Sequence, residues 1–145
     1  MRRTLLHVVL PVVIGAVIYV LWRTPTLRVF HWGAALGLGD LISASRAFAA
    51  RPSIRPPSAM LFNVPDGLWV YSLTAAMTLL WRHERPSLTK YAWIAAGLVI
   101  AIGAELGQAA HVVRGTFDVA DVASYAVAAV LAVAATGGLR RSSVR

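Results

Sequence analysis

Apolar residues run in four blocks along the chain, at residues 5–22, 64–81, 91–112 and 119–139, each flanked by charged or turn-forming residues. Read as helices, all four are long enough to cross about 30 Å of hydrocarbon. Trp22, Trp69, Trp81, Tyr91 and Trp93 fall near the ends of these blocks, where aromatic rings prefer the membrane interface. Arg2 and Arg3 precede the first block, and no small-x-small cleavage site follows it directly; Ala47-Phe48-Ala49 lies too far downstream. An uncleaved signal-anchor helix is expected there.

The connection between the first two blocks is too apolar for a plain loop. Leu27, Phe30, Ala34, Leu38, Leu41, Ser45 and Phe48 recur every three or four residues, which is a helical stripe. Gly37-Leu38-Gly39 interrupts it. Glycine suits the end of one helix, and Asp40 suits the N-cap of the next with Ser43 at the third position. Two short amphipathic helices over residues 26–51 are predicted to lie in the interface, their arginines reaching headgroups. Three prolines then make Arg51-Pro-Ser-Ile-Arg-Pro-Pro57 a stiff, extended linker. The expected fold is an all-α membrane protein. It is a four-transmembrane-helix bundle with a short amphipathic interfacial segment between helices 1 and 2, forming one domain over residues 1–145.

Composition agrees: 58% of the 145 residues are hydrophobic, which fits a small multi-pass membrane protein rather than a water-soluble domain. With no cysteine, disulfides, thiolate metal sites and cysteine nucleophiles are excluded. The net charge of +8 does not point to nucleic acid, because the basic residues sit at the edges of apolar blocks rather than along one face with interleaved aromatics. With both termini on one side, that side carries eight of the 14 Lys and Arg residues and the other side six. This bias predicts both termini in the cytoplasm and a multi-pass protein of the inner cell membrane.

Against this background the polar positions stand out. Asp66 follows Asn63-Val64-Pro65, where asparagine can cap a helix, proline fits its first turn and a carboxylate suits its dipole. Gly115-Thr116 reads as a turn, Asp118 as the cap of the fourth helix and Asp121 as the third residue of a capping box. Tyr125 and Ser124 continue the polar face one turn on. Glu105 lies about seven residues before the end of the third block, roughly 10 Å deep, where capping cannot explain it. It is either a carboxylate that locks helices together through Gln108 or Arg114, or a proton carrier or general acid. His111 with Glu105, Asp118 or Asp121 does not make a metal-ligand spacing, and neither metal nor other cofactor is expected. Alternating spans bring Asp66, Glu105, Gln108, Arg114, Asp118 and Asp121 to one membrane face as a polar cup.

Val64-Pro65-Asp66-Gly67-Leu68-Trp69, the Glu105-Leu-Gly-Gln108 element, and Gly115-Thr116-Phe117-Asp118-Val-Ala-Asp121 together resemble the VanZ-like membrane proteins over roughly residues 60–135. Those are small helical bundles with an Asp near the start of one helix, a Glu-x-x-Gln element and an Asp-rich start to the last helix. The resemblance implies a bacterial cell-envelope protein, in a family whose named member is associated with tolerance to glycopeptide antibiotics. This chain departs from the pattern in having Gly67 and Trp69 where Lys and His often follow the first Asp.

The expected function is binding of a lipid or lipid-linked envelope precursor headgroup in the outer-face cup. Arg114, Arg51 or Arg55 would meet a phosphate, and the carboxylates a cation or amine. The partners are then membrane lipids, and a homo-oligomer or another membrane subunit is a further possibility. Two alternatives stand beside it. One is a membrane enzyme using Glu105 or Asp121 as acid or base, although no activated nucleophile is evident. The other is an accessory subunit whose polar cluster only fixes packing, with Gly103-x-x-x-Gly107 allowing close helix contact.

Overall fold

A computed structural model describes residues 1–25, 28–51 and 56–137, which form helices joined by short connections. They are α1 (Arg2–Trp22), α2 (Arg28–Ala35), α3 (Gly39–Ala49), α4 (Ser58–Leu80), α5 (Leu88–Ala109) and α6 (Val119–Thr136). No strand occurs among the described residues. Leu27 of the predicted stripe, residues 52–55 of the linker (with Arg55), and the end of the fourth block with Arg140, Arg141 and Arg145 lie outside them.

Three helices, α1, α5 and α6, are long and apolar enough to cross a membrane. Their outward faces carry exposed aliphatic side chains such as Val13 and Val17, Val99 and Ile100, and Val130 and Leu131. Apolar surface of that extent needs a nonpolar surrounding. α4 is longer, at 23 residues or about 34 Å, but Asn63, Asp66, Ser72, Thr74 and Thr78 make it more polar. It is the central helix, packed against α1, α5 and α6.

Small and hydroxylated residues explain that position. Ala128, Ala129, Ala132 and Thr136 of α6 are buried, and Val70, Tyr125, Ala128 and Ala129 form a core between α4 and α6. Gly67 of α4 lies against Ser124 of α6, where an added Cβ would stand 3.6 Å from its Oγ. In a lipid solvent, such close backbone approach supplies van der Waals contact that apolar side chains alone would not gain. Two buried hydroxyls of α4 find partners on their own helix, Ser72 Oγ donating to the Leu68 carbonyl (2.8 Å) and Thr78 Oγ1 to that of Thr74 (2.8 Å), whereas the buried Thr74 Oγ1 has none among the described residues.

Three expectations change. The second long helix does not start at Asn63–Val64 but at Ser58, so Pro65 is buried inside α4 and Asn63 is not its cap. Pro65 cannot donate a backbone N–H and its ring crowds the preceding turn. Nearby, Arg23 donates to the Phe62 carbonyl (3.4 Å), and the Ser124 hydroxyl, which donates to the Asp121 carbonyl (2.8 Å), lies 3.5 Å from that of Asn63. The earlier start also moves Trp69 to the middle of α4, half-exposed, away from any helix end. Last, α3 begins at Gly39 with Leu38 at the cap position and no side-chain cap, which leaves Asp40 in its first turn.

α2 and α3 are the two short helices expected, and Leu41 and Phe48 of the stripe are exposed. α3 is tied to the end of α1. Arg46 donates to the carbonyls of Val20 (2.6 Å) and Arg23 (2.7 Å), and Trp22 Nε1 donates to that of Ala49 (3.2 Å). Arg46 therefore caps carbonyls that α1 leaves open at its C-terminus, with its guanidinium over the Phe30 ring.

Candidate functional site

The C-terminus of α1, the first third of α4, the end of α5 and the start of α6 meet at one end of the bundle. Asp66 sits more than two turns inside α4, so it is not a capping residue. Its Oδ2 accepts from Arg23 Nη2 at 3.0 Å, in an ion pair with side chains 24% (Arg23) and 33% (Asp66) exposed. Arg23 also lies against the rings of Tyr19 and Phe62. These contacts hold a cation at a depth where an unpaired one would be costly.

Glu105 is buried at 4% exposure and both of its oxygens are used. Oε2 accepts from the Asp118 backbone N–H at 3.2 Å, and Oε1 from the Tyr125 hydroxyl at a long 3.4 Å. Glu105 thus joins α5 to the first two turns of α6. Among the described residues it bonds to neither Gln108 nor Arg114, the two partners predicted for it. Gln108 packs instead against Gly115, where a Cβ would stand 2.6 Å from its Cδ and where φ is +142°. Only glycine suits that point of the loop. Arg114 and His111 are exposed on the same loop.

Asp118 caps α6 as predicted, its side chain accepting from the Ala120 N–H at 2.8 Å. The reciprocal half of the capping box does not form. Asp121 should accept the Asp118 N–H, but Glu105 has taken it. Asp121 is left with Oδ1 buried and without a partner. It lies within electrostatic reach of Glu105, Asp66, Asp118 and Arg23. An orphaned carboxylate oxygen among other carboxylates can accept hydrogen bonds from an ammonium group or ligate a cation.

The structure therefore brings Asp66, Glu105, Asp118 and Asp121 together and adds Arg23, Tyr125 and Ser124. Arg23 was legible only as a topology signal; its place immediately after the first apolar block put it at the same end as Asp66. Among the described residues no group of three or more His, Asp or Glu is arranged to hold a metal ion. No family model, curated protein or solved structure matches the chain.

Proposed function

We propose that this is a four-span, VanZ-like integral membrane protein of the bacterial cell envelope that binds the headgroup of a lipid or lipid-linked molecule at the acidic end of its bundle. The length of α4 and its central place among three apolar helices support a fourth span. The exposed stripe of α2 and α3 supports an interfacial position for them, and the arginine distribution supports both termini in the cytoplasm.

The observation that carries the binding reading is the buried, unpartnered Oδ1 of Asp121 beside Asp66 and Glu105, where four carboxylates face one bonded guanidinium. Such a set accepts an amine or a cation carried by a headgroup. Arg114 on the loop and Arg51, stacked on Phe48 at the end of α3, are the expected phosphate donors, with Arg55 outside the described residues. Native mass spectrometry of the detergent-purified protein tests this. Wild type is expected to retain an amine-bearing or cation-bearing lipid that Asp121→Asn loses while remaining folded. Equal retention by both proteins, or none by either, would overturn the reading.

A second reading has its own support. Both oxygens of Glu105 are engaged in joining α5 to α6, which is what a purely packing carboxylate does. It predicts that Glu105→Gln lowers stability and leaves any bound lipid unchanged.

A further inference from the structure

The opposite end of the bundle holds a cavity of about 640 Å³ between the first turn of α1 and the end of α4. Its polar wall carries Arg2 and Arg3 from α1 and Arg82 from the turn after α4, with His83 beside them and no carboxylate among the lining residues. Among the described residues the only ion pair is Arg23–Asp66, and none of these arginines has a carboxylate partner there. Arg82 Nε donates to His83 Nε2 at 2.7 Å, a bond that does not use the terminal nitrogens of the guanidinium. A second chamber, about 310 Å³, extends from Arg3, Arg82 and His83 to the end of α6.

The floor of the main cavity is apolar and continues along the bundle. Val8 and Ala76 line it and also line a groove of about 400 Å³ that runs toward the middle of α4. Val12 of α1, Leu73 of α4 and Ile100 of α5 form the groove walls. A cationic chamber opening onto an apolar groove along the outer face of α1, α4 and α5, with Leu73 and Ile100 of its walls exposed, matches one molecular shape: a phosphate-bearing headgroup with an acyl chain attached. Basic pockets between spanning helices are where anionic headgroups bind, and the groove gives the chain a protein surface to lie along.

We infer that Arg2, Arg3, Arg82 and His83 form a binding site for an anionic phospholipid, with one acyl chain in the groove below Val8 and Ala76. The site is separate from the acidic end and does not depend on what binds there.

The test is native mass spectrometry of the full chain in detergent, titrated with phosphatidylglycerol, with phosphatidylcholine of the same chains, and with glycerol phosphate alone. Phosphatidylglycerol is expected to bind one per protein, and at least about tenfold tighter than phosphatidylcholine. Arg3→Gln with Arg82→Gln is expected to abolish that preference. Ala76→Leu, which narrows the neck between chamber and groove, is expected to weaken the lipid and leave glycerol phosphate unaffected. Equal affinity for the two lipids overturns the proposal in the wild-type protein, whatever the variants do. Glycerol phosphate binding as tightly as phosphatidylglycerol overturns the acyl-chain site.

Discussion

The two ends of this bundle handle charge in opposite ways. At the acidic end, charges are drawn inside and tied: Arg23 to Asp66, and Glu105 to the Asp118 N–H and Tyr125. At the other end, Arg2, Arg3 and Arg82 stay at the rim of a cavity, without ion pairs among the described residues. Position explains the difference. A charge set among packed helices loses part of its hydration and is costly without a partner, and Arg23, Asp66 and Glu105 have theirs in the protein. A charge at the rim finds its partners outside. Removing an interior charge should therefore disturb the fold, whereas removing a rim charge should disturb only what binds.

Glu105→Ala separates the ends most sharply. It leaves the Asp118 N–H and the Tyr125 hydroxyl without their acceptor, and a loss of about 3 kcal/mol is expected on reversible unfolding in mixed micelles. Glu105→Gln, which keeps one acceptor oxygen, should lose much less. Arg23→Ala comes next. It strands Asp66, but the pair is a quarter to a third exposed, so about 2 kcal/mol is expected rather than the full cost of a buried pair. Adding Asp66→Asn to Arg23→Ala should restore most of that loss; no recovery would mean that the ion pair is not what Arg23 supplies. Tyr125→Phe should cost only about 0.5 kcal/mol, because the bond it deletes is long. Last, Arg3→Gln with Arg82→Gln should move stability by less than about 0.5 kcal/mol. A loss as large as that of Arg23→Ala would show that the rim arginines are structural and would erase the contrast.

A comparison of Asp118 with Asp121 shows how much of the site could be read in advance. Asp118 was legible as a cap because capping is local: a side chain reaches an N–H two residues along the same chain. Asp121 was legible as a capping-box partner by the same local rule, and there the rule failed. The Asp118 N–H that Asp121 would have accepted is taken by Glu105, 13 positions upstream of Asp118 and on another helix. The start of α4 failed in the same way. Asn63-Val-Pro-Asp66 has the local grammar of a helix start, yet α4 runs through it from Ser58, and Asp66 pairs with Arg23 instead of serving a helix start.

The sequence by itself determined that the described residues are helical without strands, that long apolar helices suit a membrane (four were expected, and three are long and apolar enough), that two short helices follow the first, and that Asp118 caps α6. These follow from periodicity, length and capping, which act over a few residues. Only the tertiary structure decided that α4 lies at the centre, that Arg23 pairs with Asp66 and Arg46 caps α1, that Glu105 is engaged while Asp121 is free, and that a cationic cavity opens onto an apolar groove. The reason is physical. A buried polar group takes whichever partner the packing brings within about 3 Å, and packing joins residues that sequence separation does not relate.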